Sequence, residues 1–367
     1  MTKIASSIPE VPRSLAPART QAAVAAPMRA ILQTGYGSSD VLALGTTARP
    51  APEPGEVLVR VHAAGIDRGT WHLMTGRPYL MRVMGFGFFA PKSPVPGLDL
   101  AGEVVEVGPG VTRFRVGDAV FGIGQGSFAE YARASQSKLA HKPSNLGFEE
   151  AAVVPVSATT ALVGLRAAKV EAGQTVLITG AGGGVGSYAV QLARAMGAEV
   201  TGVCSTSKLD FVRSLAAMNA IDYTRKDITA GDRTYDAIID LAGSRSVSTL
   251  RRALAPTGTL VLLGGEGGGT WLGMGRQVWS QIIGIGARQK FRSPLALVNQ
   301  KDLHVLKEML ETGKLRPVVD RRYPLSEVPI AVRALSAGHS RGKAAITMRR
   351  ANVDQAAADD HSAHHVG

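Results

Sequence analysis

Cysteine is almost absent from this chain of 367 residues, which contains Cys204 and no other. One thiol cannot form an intrachain disulfide, and it cannot supply the clustered thiolates of a cysteine-rich structural zinc site. The composition therefore excludes disulfide-stabilised secreted domains and cysteine-rich zinc domains, and it favours a reducing, cytoplasmic setting.

Long apolar segments are also missing. A membrane-spanning helix needs about 20 consecutive, mostly apolar residues, and no segment of this sequence provides them. Residues 1–27 are rich in Ala, Pro and Ser and lack the apolar core of a secretory signal. We expect a disordered tail or an extended start ahead of Met28, with an organellar transit peptide as the alternative. Residues 350–367, polar and rich in Ala, predict a second disordered tail.

Acidic residues are too few to balance the basic ones: 29 Asp and Glu stand against 41 Lys and Arg, which gives a net charge of +12. Such an excess attracts nucleic acid, anionic membranes or phosphorylated ligands. The basic residues are scattered, however, with no run of about five or six like charges. We interpret the charge as a solvated basic surface plus a phosphate-bearing cofactor, and we expect no nucleic-acid or membrane partner.

What is present falls into two patterns. Residues 28–152 alternate short apolar segments with turn signals such as Pro54-Gly55 and Gly117-Asp118, which is typical of β-rich domains. The predicted strands are 57–61, 102–107, 119–121 and 129–131. They indicate a small barrel or folded sheet.

Residues 153–292 alternate strands and helices, which predicts an α/β domain with a doubly wound parallel sheet. The predicted strands are 175–179, 199–204, 220–223, 237–241, 259–263 and 282–285, and the predicted helices are 186–196, 208–215 and 247–254. Residues 293–349, with a helix at 301–312 and strands at 318–323 and 344–348, are expected to return to the first domain.

A glycine-rich loop follows the strand at 175–179 and precedes a helix. Glycines there allow a tight turn and a close approach of the backbone to a pyrophosphate, which the helix N-terminus attracts. The dinucleotide fingerprint G-x-G-x-x-G occurs with alanine in its first position. Its residues are Ala181, Gly182, Gly183, Gly184, Val185 and Gly186. In this strand–loop–helix context we interpret the loop as a nicotinamide dinucleotide site.

The sequence after the second strand of this unit favours NADPH over NADH. An NAD site usually places Asp or Glu about 20 residues after the loop to bind the ribose 2′-OH. Here Ser205 and Lys208 occupy that region, and the next acid, Asp210, lies inside the following helix. A hydroxyl and an ammonium can donate to a 2′-phosphate that a carboxylate would repel.

Several motifs resemble the medium-chain dehydrogenase/reductase superfamily, and its zinc-independent quinone oxidoreductase-like branch in particular. They are the segments at 64–67, 96–102, 116–118, 180–186 and 262–265. The resemblance covers about residues 28–349. It implies a GroES-like β-rich catalytic domain, a Rossmann-type nucleotide domain and a homodimer.

The resemblance also bears on metal. Zinc alcohol dehydrogenases of this superfamily carry a Cys and a His as metal ligands where this chain has Asp67 and Leu98. Leucine cannot bind zinc, and a catalytic zinc normally needs three protein ligands. We therefore expect no metal site, and an already activated acceptor, either a quinone or an α,β-unsaturated ketone or aldehyde, in place of a simple alcohol.

Further cofactor residues are carried over from the family by motif. Lys208, Tyr223 and Ser205 correspond to the 2′-phosphate side, although Tyr223 can equally be an ordinary residue at a strand end. Thr160 corresponds to a threonine facing the nicotinamide, or it caps local backbone. Residues at the two remaining motif positions, a strand end and a C-terminal turn, are Gly264, Gly265, Gly342 and Lys343.

The proton donor is sought in the segment Asp67 to His72. Quinone reductases carry an Asn and a Tyr in this region, whereas this chain has Asp67 and the pair Trp71-His72. His72 can supply a proton near neutral pH, or it is an ordinary helix residue. Asp67 can orient His72 or bind a ribose hydroxyl, or it caps the helix that follows. The segment at 79–89 contains several aromatic residues interrupted by glycines, namely Tyr79, Phe86, Phe88 and Phe89. It either lines the acceptor pocket or belongs to the core.

Two other functions stay open. One is NADPH-dependent reduction of an enoyl thioester. The other is a non-catalytic NADPH- and RNA-binding relative of the quinone oxidoreductases, whose RNA affinity would fall steeply with salt.

Overall fold

A computed structural model provides the structure of the chain. It describes residues 26–77, 79, 82, 87–229, 233–264, 275–276, 279–280, 287–338 and 340–348. The predicted tails, apart from Ala26 and Pro27, and the predicted strand at 282–285 lie outside the described residues. Among the described residues no helix has both the length and the apolar character needed to cross a bilayer.

Seven strands of the described residues form a largely antiparallel sheet that combines strands from the N-terminal part of the chain with two strands near its C-terminal end. They are β3 (Glu56–Ile66), β4 (Asp99–Val107), β5 (Ala119–Ile123), β6 (Tyr131–Ser135), β7 (Leu139–His141), β14 (Val319–Pro324) and β15 (Lys343–Thr347). The order is β14-β15-β3-β4-β5-β7, and β6 pairs with the first half of β3. The late strand β15 lies antiparallel to the second half of β3. A separate hairpin, β1 (Pro27–Gln33) with β2 (Leu42–Ala48), packs beside this sheet.

Six strands form a second sheet in which every pair is parallel. They are β8 (Thr175–Thr179), β9 (Glu199–Cys204), β10 (Asn219–Asp222), β11 (Tyr235–Asp240), β12 (Leu254–Leu262) and β13 (Lys290–Arg292). Their order is β10-β9-β8-β11-β12-β13. The chain adds β9 and β10 on one side of β8 and then β11, β12 and β13 on the other side, as in doubly wound folds. The predicted fold class, a GroES-like sheet with a Rossmann-type parallel sheet, is confirmed.

Helices cover the sheets and position the loops between them. They are α1 (Arg68–Thr75), α2 (Phe148–Ala152), α3 (Pro155–Ala168), α4 (Gly184–Ala195), α5 (Leu209–Ser214), α6 (Val247–Arg252), α7 (Gln300–Glu311) and α8 (Val328–Ser336). The largest core cluster joins α3 and α4 to the parallel sheet, so the helix that follows the glycine loop is fixed by packing on both sides. A second cluster fills the antiparallel sheet.

One predicted strand was misplaced. The segment predicted at 129–131 forms a strand only from Tyr131, because the preceding backbone is used elsewhere. The Phe128 carbonyl accepts from Ile31 of β1, and the Glu130 carbonyl accepts from Val61 of β3. Residues 128–130 thus bond to two different strands, β1 and β3, and regular pairing with β3 alone begins only at Tyr131, where β6 starts.

Candidate functional site

A cleft of about 560 Å³ lies between the two sheets, a volume typical of small-molecule sites. The residues that follow β8, β11 and β12 line it, namely Gly180, Leu241-Ala242 and Leu263-Gly264. These are the carboxyl ends of neighbouring parallel strands, the usual ligand edge of such a sheet. The opposite wall comes from the end of β3, from α1 and from the C-terminal segment 320–344.

The glycine loop forms the cleft wall at the start of α4. Gly186 must lack a side chain, because a Cβ there would lie 2.1 Å from the Gly180 carbonyl oxygen. The N-cap residue, Gly183, offers no side-chain acceptor to the first turn of α4. An uncapped helix N-terminus beside bare backbone is suited to a pyrophosphate, so the residues present fit a dinucleotide.

The loop residues differ in their exposure to the cleft. Gly183, Gly184, Val185 and Gly186 line it, as predicted residues of the cofactor site. Ala181 is fully buried, and its N–H donates to the Val203 carbonyl of β9. Gly182 lies against Lys208, since a Cβ on Gly182 would be 2.8 Å from the lysine Cδ. Ala181 and Gly182 thus contribute to the turn by packing against the protein and are not among the residues that line the cleft.

Three predicted 2′-phosphate residues meet at the end of β9. The Lys208 N–H donates to the Ser205 carbonyl, and the Tyr223 N–H donates to the Cys204 carbonyl. Lys208 lines the cleft, and the Tyr223 side chain is exposed nearby. Asp210 points to solvent and pairs with Arg213, so no carboxylate from that helix enters this corner.

An acid that sequence reasoning missed reaches the same corner from β10. Asp222 pairs in register with Cys204 across the parallel strands. Its carboxylate accepts hydrogen bonds from the Thr206 and Thr224 hydroxyls, which are the main reason why its pKa lies below the ordinary value. Asp222 is thus engaged by two threonines and holds the loop that carries Lys208.

Backbone carbonyls of the C-terminal segment anchor the side chain of Lys208. Its Nζ donates to the carbonyls of Gly338 and Ser340 at 2.9 and 2.7 Å. Burial lowers the pKa of Lys208, and the nearby carboxylate of Asp320 acts in the opposite direction. Arg341 bridges the same two segments by donating to the Ser207 carbonyl at 3.1 Å. Lys208 and the Asp320 carboxylate therefore line this end of the cleft, and Arg341 lies next to them.

Thr160 lines the middle of the cleft from the second turn of α3. Its hydroxyl donates to the Val156 carbonyl at 2.7 Å, which leaves the oxygen able to accept from a ligand. The N–H of Val156 donates to Asp99 at 2.9 Å, so the start of α3 is tied to β4. Thr160 lies in the cleft, and its hydroxyl bonds to the preceding turn of its own helix and does not cap the helix start.

The predicted proton-donor segment divides between cleft and core. Asp67 and His72 line the cleft, whereas Trp71 packs against the core of the antiparallel sheet. Asp67 is the N-cap of α1: its carboxylate accepts the Thr70 N–H at 2.8 Å, which supports the capping interpretation. Nδ1 of His72 lies 2.9 Å from the Arg77 carbonyl, which orients the ring.

Arg68 is a cleft residue to which the sequence pattern assigned no role. It lines the cleft beside His72, and its guanidinium lies 5.8 Å from the centre of the Trp71 ring. Its position could have indicated a role, because Arg68 directly follows the N-cap Asp67 at the end of strand β3. A fixed cation there can stabilise a developing oxyanion.

The positions of the superfamily's zinc ligands carry no metal-binding set. The Leu98 Cδ1 and the Asp67 Oδ1 both approach Gly69, at 3.9 and 2.8 Å from the site of its missing Cβ. The Leu98 side chain that approaches this point is aliphatic and has no lone pair to offer a metal ion. Among the described residues no three His, Cys, Asp or Glu side chains are grouped so that they could hold a metal ion.

Three of the four remaining predicted site residues, Gly264, Gly342 and Lys343, line the cleft. Gly264 and Gly342 line it, and the Gly342 N–H points at the Gly182 carbonyl, 3.4 Å away. Lys343 lines it too, but its ammonium turns inward to the buried Asp99. Gly265 lies outside the described residues. So does Phe86 of the aromatic segment, in which Phe88 and Phe89 are exposed side chains in edge-to-face contact.

Comparisons with known proteins all point to dehydrogenases and oxidoreductases. The model of the alcohol dehydrogenase GroES-like domain matches residues 53–144, and that of the zinc-binding dehydrogenases matches residues 215–346. A chloroplastic quinone oxidoreductase, QR1, of Triphysaria versicolor is 31% identical over 335 residues, which is 86% of this chain and 97% of the relative.

A chloroplastic NADPH-dependent alkenal/one oxidoreductase of Arabidopsis thaliana is 32% identical over 339 residues, 87% of this chain and 79% of the relative. Among solved structures, the quinone oxidoreductase from Coxiella burnetii superposes with a TM-score of 0.77 at 30% identity. The superposition covers 88% of this chain and 100% of the Coxiella burnetii chain.

Proposed function

Because the chain belongs to the quinone oxidoreductase-like branch of the medium-chain dehydrogenase/reductase superfamily, we propose that it is an NADPH-dependent, zinc-independent reductase of quinones or α,β-unsaturated carbonyl compounds. The broader statement, an oxidoreductase that uses a nicotinamide cofactor, follows from the membership itself. The observation that carries the proposal is the cleft, which is lined by the uncapped start of α4 together with Thr160, Arg68 and His72.

Preference for NADPH is supported by the charges at the end of β9. Lys208 and Arg341 are held there by backbone carbonyls, and Ser205 adds a hydroxyl. Asp222, which could repel a phosphate, is engaged by Thr206 and Thr224. Two cations and a hydroxyl favour a 2′-phosphate over a bare ribose hydroxyl.

The residues of the chain have distinct roles in this reaction. The reduced nicotinamide, when bound, supplies the hydride to the electrophilic carbon of the acceptor. Thr160 holds the nicotinamide end of the cleft, and Gly264 leaves room beneath it. Arg68 stabilises the negative charge that develops on the acceptor oxygen. His72, oriented by its contact with Arg77, delivers the proton that completes reduction.

Zinc independence is supported by the donor chemistry at residue 98. The Leu98 side chain offers no lone pair, and Asp67 already accepts two hydrogen bonds from Thr70. Polarisation of the carbonyl therefore falls to Arg68 and His72. This limits the enzyme to acceptors that conjugation or a quinone ring already activates.

Acceptor and cofactor are tested together by following NADPH and NADH oxidation with 9,10-phenanthrenequinone, 1,4-benzoquinone and a panel of small enones. Enzyme-free reactions correct for direct reduction of the quinones, and each assay is repeated with EDTA. We expect turnover with NADPH, weak turnover with NADH and no effect of EDTA. Loss of activity in EDTA would contradict zinc independence. NADPH binding without turnover of any acceptor would favour an enoyl thioester substrate or a binding protein.

Location and assembly are part of the same proposal. We propose a cytoplasmic homodimer without a nucleic-acid partner. Sedimentation of the purified chain tests the dimer, and retention on an RNA column at low salt would contradict the last expectation.

A further inference from the structure

A buried ion pair crosses the inner end of the cleft. Lys343 of β15 and Asp99 of β4 have side chains that are 3% and 0% exposed, and Nζ lies 3.3 Å from Oδ2. On its way the lysine chain passes the start of α4, since a Cβ on Gly184 would be 2.8 Å from the Lys343 Cδ. The lysine chain therefore runs along the start of α4, where the pyrophosphate of a dinucleotide is proposed to bind.

Three further elements face the carboxylate of Asp99. From α3, the Val156 N–H donates to Oδ1 at 2.9 Å. From the end of β3, the charge of Asp67 opposes ionisation of Asp99. From α4 comes Tyr188, whose pKa is raised mainly by burial and further by the charge of Asp99. Burial raises the pKa of Asp99 to about 7, and Lys343 is the main group that opposes the rise. The lysine therefore opposes protonation of this carboxylate, and with a pKa of about 7 Asp99 is mostly ionised at pH 8.

We propose that Lys343 exchanges Asp99 for the pyrophosphate of the bound dinucleotide, and that Asp99 takes up one proton as the lysine leaves. The inference rests on the proposed dinucleotide site. A buried carboxylate that loses its cation is strongly unfavourable, whereas a protonated carboxyl group can remain beside Asp67 and keep the hydrogen bond from Val156. The only covalent change is one proton moving from solvent to a carboxylate oxygen of Asp99.

Calorimetric titration with NADH at pH 8, in two buffers with different ionisation enthalpies, counts this proton. NADH carries the pyrophosphate but no 2′-phosphate, so Lys208 is not recruited. We expect close to one proton taken up per NADH bound. Because the complex holds more protons than the free protein, affinity falls as pH rises, and the Kd increases about fivefold from pH 7 to pH 8.

Three variants locate the proton. Asp99→Asn and Lys343→Met should each abolish the uptake and flatten the pH dependence of the Kd. Since Asp99→Asn leaves a buried ammonium unpaired, the double variant, which removes both charges, serves if the single variant does not fold. Asp302→Asn is the matched control: it removes another buried carboxylate, one that pairs with Arg166 on the outer face of α3, and it should keep the full uptake.

The outcomes separate this inference from the proposed function. Binding heat without proton uptake in the wild type overturns the exchange, and so does undiminished uptake in Asp99→Asn. If neither NADH nor NADPH gives any heat, the dinucleotide site itself is contradicted, and the exchange with it.

Discussion

Replacement of Lys208 by Met tests whether the cation at the end of β9 selects NADPH. The lysine is anchored to the carbonyls of Gly338 and Ser340 at 2.9 and 2.7 Å, and its chain lies against Gly182 of the glycine loop. Methionine keeps much of this chain but removes the charge. A hydrogen bond to a charged group contributes about 1.5–3 kcal/mol. We therefore expect the preference for NADPH over NADH, measured as the ratio of kcat/KM, to fall about 10- to 150-fold.

The assay compares both cofactors with one saturating acceptor, chosen from the quinones above. In Lys208→Met the loss should be confined to NADPH, because NADH has no group for the ammonium to bind. Lys314→Met, on an exposed turn after α7, is the matched control and should leave both cofactors unchanged. An unchanged preference would refute the role of Lys208 in selection. An equal loss with both cofactors would show that the lysine only holds the 338–340 segment.

Further predictions concern the glycine loop and α1. Gly186→Ala brings a Cβ within 2.1 Å of the Gly180 carbonyl oxygen. We therefore expect the free energy of unfolding, measured by thermal denaturation, to fall by about 1–3 kcal/mol. Gly35→Ala, with open space around its Cβ, should be nearly neutral. Asp67→Ala removes the cap of α1 and should cost about 0.5–2 kcal/mol, whereas Asp67→Asn should keep stability and kcat; a large kcat loss in the latter would reveal a catalytic carboxylate. His72→Gln should lower kcat about 100-fold or more with little change in the KM for NADPH, and an unchanged kcat would exclude it as proton donor.

Much of the parallel sheet can be predicted from the sequence because its strands are short apolar runs buried on both faces. The predicted bounds of β8 and β9 agree with the structure, and the glycine loop follows β8 as expected. The two halves of β3 show the limit. Along one edge this 11-residue strand pairs with two neighbours in turn, β6 and β15, and local patterning predicts only its apolar middle.

The candidate site could be predicted only where neighbouring residues form it. The loop residues and Lys208 follow directly from strand ends, so spacing identifies them. Asp222 reaches the corner of Lys208 because β10 pairs with β9 at Cys204, a register that no local pattern specifies. Asp99 and Lys343 are 244 residues apart, and their contact depends on three strands meeting in one sheet. Contacts of this kind appear only once the topology is known.

The order of strands in the antiparallel sheet constrains how the protein can mature on the ribosome. β6 covers the Glu56–Arg60 half of β3, but the Ala63–Ile66 half waits for β15, near the end of the described chain. That uncovered half leads directly into Asp67 and α1. Until residue 347 has left the ribosome, it is an open strand edge of the kind that invites intermolecular pairing. The acceptor side of the cleft is therefore completed last, after the parallel sheet has had its whole sequence available to fold.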